Sequence, residues 1–458
     1  MDYTGISREA QHLCILVHGL WGNPVHLRTV ADTLRKKHPE ENLHILVAKR
    51  NSGSFTYDGI ERGGERVCQE IEEEIKKLAK AGQKIKRLSF VGYSLGGLVA
   101  RYAVGLLDSK GLFNKIEPIN FTTFATPHLG VRTPLRGWHN HIWNVLGART
   151  LSASGRQLFT IDKFRDTGKP LLEILADPES IFIKALAKFQ RRTLYANIIN
   201  DRSAVYYTTG ISRTDPYTDP SNVKITYIKG YSNVIVDPTV PVAFSDSEET
   251  ESTFYSRFLR SSQTTLGRLP FLFAVCILIP IGVCAFLINS AVQSLRSNRR
   301  IKLYEQGLTG IQPSYYRVPV LITGMREAVE DVYENLNSAQ SHEYLVAGTE
   351  DDAAHEEPPS PGLARPASWK SVEIPQDMTS IEKTTTNETW QHDVPTLALA
   401  PYQFRMIQAL DDVGWRKFPV HIHKARHSHA AIIMRSEKPS LDEGKIVLAH
   451  WLDEEFII

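Results

Sequence analysis

The chain has 458 residues, a formal net charge of +2 and four cysteines, at positions 14, 68, 276 and 284. The nearly balanced charge excludes the broad basic surface of a nucleic-acid-binding protein. The cysteine spacing excludes a thiolate metal site and a disulfide framework. We therefore expect a protein of a reducing compartment that carries no metal or cofactor, and the first ten residues lack the pattern of a secretory signal.

The first half of the chain alternates short apolar runs with amphipathic segments. Such runs predict buried strands, at 12–17, 43–48, 88–91, 119–124 and 194–199. Apolar residues at helical spacing between them predict helices, at about 26–37 and 59–81. This alternation is typical of an α/β fold with a mostly parallel sheet and helices on both faces.

The motif Gly92-x-Ser94-x-Gly96 stands between the strand 88–91 and an apolar helical pattern. Glycines two residues before and after a serine permit the strained turn that exposes its hydroxyl at the end of a strand. The strand–turn–helix context makes this a nucleophile elbow rather than an ordinary glycine-rich turn. We therefore predict that Ser94 is the nucleophile of a serine hydrolase with an α/β-hydrolase fold.

A serine nucleophile needs a base and an acid, and on this kind of sheet both follow it in the chain. Asp201 comes just after the strand 194–199 and is the first choice for the acid, with Asp237 as the second. A late segment contains four histidines; we choose His429 as the base because small alanines follow it, with His427 as the second choice.

Two backbone amides are candidates for the oxyanion hole, which must face the negative charge that develops on the substrate. The amide of Leu95 directly follows the nucleophile. The amide of Leu20 lies in a glycine-containing turn after the first strand. No motif for binding a metal, a phosphate loop or a dinucleotide competes with this prediction.

Leu269 to Ile288 form an uncharged apolar segment that is long enough to reach across a bilayer core of ~30 Å. A single crossing would place Ser94 and Asp201 on one side of the membrane and His429 on the other. We therefore expect the segment to enter and leave on one face, as a hairpin bent near Pro280. A buried core helix is the alternative.

The chain divides into four parts. Residues 1–240 form the first part of the hydrolase core, and 241–345 an insertion with the membrane segment. Residues 346–396, rich in Pro, Glu, Ser and Thr, are a disordered insert. The core ends with 397–458, where we predict strands at 418–422 and 430–434 and a helix at 446–456. Residues 131–190 are either a lid or acyl-binding wall at the site or an ordinary packing layer.

Several motifs together resemble a fungal family of serine esterases. They are Leu16-Val-His-Gly-Leu-Trp-Gly22, Tyr57-Asp-Gly-Ile-Glu-Arg-Gly-Gly64, Val91-Gly-Tyr-Ser-Leu-Gly-Gly97, Thr126-Pro-His-Leu-Gly130 and Asn200-Asp-Arg-Ser203. The resemblance covers about residues 10–240 and 400–458. Within this family the chain looks most like the phospholipases of lipid droplets. The resemblance implies an α/β-hydrolase fold, cleavage of phospholipid acyl esters, and a place on the cytosolic face of lipid droplets or the endoplasmic reticulum. By this resemblance Ser94, Asp201 and the His429 region match the family's catalytic residues.

We therefore expect a serine hydrolase of lipid esters, with a phospholipase as the first choice and a phospholipid monolayer or bilayer as its partner. A neutral-lipid esterase or a thioesterase is the alternative among enzymes. A membrane-tethered scaffold with a hydrolase fold and no activity is the alternative from another class.

Overall fold

The structure, a computed structural model, describes residues 10–131, 152–218, 223–240, 242–244, 269–305, 396–397 and 399–458. For residues 166, 242–244, 269–283, 286 and 304–305 it describes the backbone alone. The predicted insert at 346–396 lies outside the described residues except for Thr396. So does most of the insertion 241–345, and the predicted division into four parts stays a prediction.

A six-stranded parallel sheet forms the centre of the molecule, with the order β2-β1-β3-β4-β5-β8. Its strands are β1 His12–Val17, β2 Leu43–Val47, β3 Arg87–Tyr93, β4 Glu117–Phe124, β5 Arg191–Asn197 and β8 Arg416–Val420. A separate antiparallel pair consists of β6 Val223–Ile225 and β7 Val242–Phe244. Because all six strands of the main sheet run in one direction, the loops after them meet at a single edge.

Helices cover both faces of this sheet. The described helices are α1 Arg28–Lys37, α2 Ile60–Lys80, α3 Leu95–Ser109, α4 Ser152–Leu158, α5 Leu171–Ala176, α6 Ile181–Ala187, α7 Tyr206–Gly210, α8 Leu269–Glu305, α9 Pro401–Asp412, α10 Ser428–Ala431 and α11 Gly444–His450. A π-helical turn, Trp451–Glu455, follows α11. The mostly parallel sheet between helical layers confirms the predicted α/β-hydrolase fold class.

The two apolar cores follow from the alternation of side chains along each strand. Leu13 and Ile15 of β1 pack with α2, α3, α6 and α9 in one core. Cys14 and Leu16, which point to the other face, pack with α1 and α11 in the second core. Strands that are apolar at every position are therefore buried from both sides, as their sequence predicts.

The predicted strand at 430–434 is wrong. Residues 428–431 form the short helix α10, in which the Ile432 amide donates to the Ser428 carbonyl. The run Ala430–Met434 is apolar throughout because it packs inside the second core, and such a run fits a buried helix as well as a strand. The other predicted strands of the main sheet match the observed ones within three residues at each end.

The predicted bend at Pro280 is also wrong. The backbone is helical without interruption over Leu269–Glu305, so the apolar segment does not form a hairpin. Counting the residues whose side chains the structure describes, no helix is long and apolar enough to cross a membrane.

The carboxyl-terminal part of α8 is fastened to the hydrolase core through a buried carboxylate. Asp58 accepts hydrogen bonds from Ser297 Oγ at 2.7 Å and from Arg300 Nη2 at 2.6 Å, and it also pairs with Arg66. Arg300 donates a further bond to the Ser54 carbonyl at 2.8 Å. A charge cluster of this kind is stable only while it is complete, because each buried charge needs its partners.

We expect Arg300→Met to lower the free energy of unfolding by about 3–5 kcal/mol, because Asp58 would lose one of its two buried cations. Chemical denaturation followed by circular dichroism measures the change. The matched control is Arg299→Met, at the neighbouring exposed position, with an expected change below about 0.5 kcal/mol. Equal destabilisation by the two variants would contradict this account of the cluster.

Candidate active site

Ser94 stands at the turn between β3 and α3, at the edge where the parallel strands end. Its φ of 55° and ψ of −130° lie in a strained region that non-glycine residues rarely adopt. Close approach explains the glycine at position 96, since a Cβ there would lie 2.1 Å from the Val17 carbonyl oxygen. The turn therefore has the strained, closely packed geometry that the motif predicts for a nucleophile elbow, and the role of Ser94 as nucleophile stays a prediction.

His429 lies in the short helix α10, after the edge strand β8. Its Nε2 is 3.0 Å from Ser94 Oγ, which is within hydrogen-bond distance. The ring is almost completely buried and packs against the Tyr93 ring, with 5.2 Å between centroids. Tyr93 also donates its hydroxyl to the His429 carbonyl at 3.1 Å. The residue before the nucleophile therefore fixes the position of the imidazole.

Asp201 lies in the loop after β5, the neighbour of β8 in the sheet. Its Oδ2 is 2.9 Å from His429 Nδ1 and accepts a bond from Asn197 Nδ2 at 2.8 Å. Its Oδ1 accepts bonds from the amides of Ser203 and Ala204, at 3.1 and 2.9 Å. Asn197, at the end of β5, and two amides of the following loop therefore hold the carboxylate in place for the imidazole.

The structure thus brings the three first-choice residues together, and the second choices lie elsewhere. Asp237 accepts bonds from the amide and hydroxyl of Thr239, which lower the pKa of its carboxyl group. His427 precedes α10 as its N-cap residue, and the ring bonded to both Ser94 and Asp201 is that of His429.

The turn after β1 approaches the nucleophile closely. A Cβ on Gly19 would lie 2.7 Å from Ser94 Cβ, so only glycine lets this turn come so near. Among the described residues, no hydrogen bond involves the amide of Leu20 or that of Leu95. The role of these two amides in an oxyanion hole stays a prediction.

Two hydrogen bonds from Trp21 connect this turn to the segment Gly53–Asp58. Its amide donates to Thr56 Oγ1 at 3.1 Å and its indole Nε1 donates to Tyr57 Oη at 2.8 Å. Thr56 and Tyr57 belong to the same 3₁₀ segment, Gly53–Asp58, that holds the end of α8 through Asp58. Sequence reasoning missed this support, because nothing local indicates which tyrosine an indole will meet.

A cleft opens over Ser94 and His429. Most of its lining is apolar, and one lining residue is an arginine: Leu20, Trp21, Tyr93, Ser94, Leu95, Pro127, Val131, Leu158, Ser203, Ala204, His429 and Arg435. Leu158 comes from the stretch 131–190, which therefore contributes a wall of the cleft, while Phe159 packs in the core. Residues 132–151, with Trp138 and Trp143, lie outside the described residues. Arg435 was not predicted, although it follows the histidine segment by only a few positions.

Within the described ranges, no group of three or more His, Cys, Asp or Glu side chains could hold a metal ion. The remaining histidines of the late segment have other partners: His421 pairs with Tyr227 Oη at 2.6 Å, and His423 with Glu443 at 3.2 Å. Burial lowers the pKa of His421 to about 4, which keeps that imidazole neutral at physiological pH.

The fold is that of the α/β-hydrolase class, and the three side chains at its site are aligned as in a Ser–His–Asp relay. Residues 7–215 match the model of a family described as "Putative serine esterase (DUF676)". The resemblance noted in the sequence is therefore confirmed at the level of the family.

Two yeast proteins illustrate the similarity. "Putative lipase ROG1" of Saccharomyces cerevisiae is 31% identical over 218 residues, which are 46% of this chain and 30% of that protein. "Putative lipase C4A8.10" of Schizosaccharomyces pombe is 28% identical over 221 residues, 46% of this chain and 27% of that protein. The match thus spans less than a third of each of these relatives.

A solved structure with weak similarity to the chain is "Phospholipase PlaB from Legionella pneumophila". It is 14% identical, with a TM-score of 0.26, over 43% of this chain and 40% of that chain. At this level of similarity the comparison carries no argument about function.

Proposed function

We propose that the protein hydrolyses acyl esters of lipids through an acyl-enzyme formed on Ser94. The observation that carries this proposal is the continuous relay from Ser94 Oγ to His429 and on to Asp201, with distances of 3.0 and 2.9 Å. A scaffold without activity has no need of a strained serine, a buried imidazole and a carboxylate in this alignment.

In the first step, Ser94 Oγ attacks the ester carbonyl while His429 Nε2 accepts the hydroxyl proton. Asp201 stabilises the imidazolium that forms and holds its Nδ1–H. The amides of Leu20 and Leu95 donate to the oxyanion, each contributing about 3 kcal/mol to the barrier reduction. His429 then protonates the leaving alcohol, and a water molecule releases the fatty acid by the same sequence of proton transfers.

A phospholipid is the substrate class we propose, at a phospholipid monolayer or bilayer. Its support is the combination of an apolar cleft with Arg435, since acyl chains suit the apolar lining and a guanidinium suits a phosphate. Neutral lipids lack that anion. The cytosolic face of lipid droplets or the endoplasmic reticulum remains the proposed place of action, and it rests on the resemblance alone.

Purified protein tests the activity when it is offered phospholipids of varied head group, triacylglycerol and a short water-soluble ester. Release of fatty acid from phospholipid alone or in preference to triacylglycerol supports the proposal. Preference for triacylglycerol would favour the neutral-lipid esterase, and hydrolysis of none of them would favour the inactive scaffold.

We expect Arg435→Gln to raise KM for a phospholipid roughly tenfold with little change in kcat, because the lost charge binds ground state and transition state alike. Steady-state kinetics on mixed micelles measure both constants. Lys438→Gln is the matched control, since Lys438 is exposed and does not line the cleft. An equal rise of KM for a neutral short ester would count against a phosphate at Arg435.

A further inference from the structure

Among the described side chains of α8, the apolar ones face outward and the polar ones face the protein. Its large apolar side chains between 287 and 295 are 38–71% exposed: Leu287, Ile288, Val292 and Leu295. The side chains packed against the hydrolase core are polar, with 0–5% exposure: Ser290, Gln293, Ser297 and Arg300. Surface helices of globular proteins show the opposite pattern, with apolar residues inside.

The exposed apolar residues form one continuous stripe. Ile288, Val292 and Leu295 are spaced by four and three residues, so they lie on one side of the helix. The uncharged segment that starts at Leu269 leads into the same stripe. A contiguous apolar patch on a surface marks a place that is covered when the protein functions.

Positive charges continue this stripe at its carboxyl-terminal end. Arg299 and Lys302 follow Leu295 by four and seven residues, and both are exposed. The helix contains no acidic residue before Glu305. Long cationic side chains beside an apolar face are the arrangement that meets a layer of phosphate groups above hydrocarbon.

We propose that Ile288, Val292, Leu295, Arg299 and Lys302 form a lipid-contact face, with which the protein rests on an anionic phospholipid surface without crossing it. The inference goes beyond the ester chemistry, although its meaning rests on the proposed lipid substrate. Arg300, near the carboxyl end of the helix, is bound inside the hydrolase core, so this end of α8 lies against the protein while its apolar stripe faces outward.

The polar underside fixes this face relative to the catalytic cleft. Asp58 holds Ser297 and Arg300 on one side, and the adjoining Thr56 and Tyr57 hold Trp21 on the other. Arg300 also lies over the Phe55 ring, at 4.9 Å from its centroid. A rigid connection therefore runs from the lipid-contact face to a wall of the cleft.

The first test uses the full chain with Ser94→Ala, so that the lipid stays intact, and flotation with phosphatidylcholine vesicles containing phosphatidylserine. We expect Leu295→Glu to weaken binding roughly tenfold, because an apolar contact becomes a charge that opposes the anionic surface. Ile181→Glu is the matched control, an exposed apolar residue on another helix, and should bind as the parent does. Equal binding by the parent and Leu295→Glu would overturn the proposal.

The second test addresses the cations. The double variant Arg299→Gln, Lys302→Gln should lose most of the preference for phosphatidylserine vesicles over pure phosphatidylcholine, roughly a tenfold effect at low salt. An unchanged preference would contradict the proposal. So would Leu295→Glu converting a dimer to a monomer in sedimentation, which would assign the stripe to a second copy of the chain.

The active form separates this proposal from the proposed function. With Ser94 present, Leu295→Glu should hydrolyse a short soluble ester at the parental rate, because Leu295 does not line the cleft. Parental hydrolysis without any effect on vesicle binding would reject the lipid-contact face and leave the esterase standing. If Leu295→Glu weakens vesicle binding but the parent protein cleaves no ester, the lipid-contact face stands and the proposed esterase activity is rejected.

Discussion

Replacing Ser94 with alanine should lower kcat for a short acyl ester by roughly 10⁴-fold or more, because no other group can form the acyl-enzyme. Labelling by a fluorophosphonate probe should disappear with the activity. The fold should remain, since an alanine removes only the hydroxyl from the strained turn. Unchanged labelling of the Ser94→Ala protein would refute the assignment of the nucleophile.

His429→Ala should cause a loss of similar size, and the double variant with Ser94→Ala should be no worse than either single variant, because the two residues act as a unit. The matched control is His427→Ala, two positions away, with an expected change within about twofold. A large loss in the His427 variant alone would assign the base to the second choice of the sequence.

Asp201→Asn should lower kcat roughly 10⁴-fold while leaving KM nearly unchanged. The amides of Ser203 and Ala204 hold an oxygen at the Oδ1 position, so the new NH₂ group must take the place of Oδ2. That group donates to His429 Nδ1 and stabilises the tautomer with the proton on Nε2. The imidazole then cannot accept the proton of Ser94.

The corresponding control is Asp237→Asn, at the second-choice acid. Asp237 is bonded to Thr239 and not to the imidazole, so activity should stay within about twofold of the parent. Steady-state kinetics on one soluble ester measure both aspartate variants. An equal loss of kcat in Asp201→Asn and Asp237→Asn would contradict the assignment of Asp201 as the acid that acts through His429.

The part of this site that the sequence predicts is the part made by local geometry. The elbow needs glycines at fixed offsets from Ser94, and Asp201 follows a strand whose apolar residues are plain in the sequence. His429 was chosen among four histidines by the size of its neighbours. The structure places that ring beside Ser94, and its catalytic role stays a prediction.

Features made by contacts between distant segments were not predictable in the same way. Residues 428–431, where a strand was expected at 430–434, form a short helix. The sequence could not distinguish strand from helix here, because a run that is buried on all sides is apolar at every position and shows neither periodicity. The hairpin expected at Pro280 is absent, because the helical backbone of α8 continues through this residue. The pairing of Asp58 with Arg300 joins positions 242 residues apart, and no local pattern indicates it.

The position of β8 beside β5 has a consequence for the order in which a ribosome completes this protein. Ser94 and Asp201 are made early, but His429 is supplied after the apolar segment and most of the remaining chain. At about 5–20 residues per second, translation from Ile288 to His429 takes on the order of ten seconds. Throughout that interval the nascent chain has its apolar segment but lacks His429, so the proposed lipid contact becomes possible before the proposed hydrolysis does.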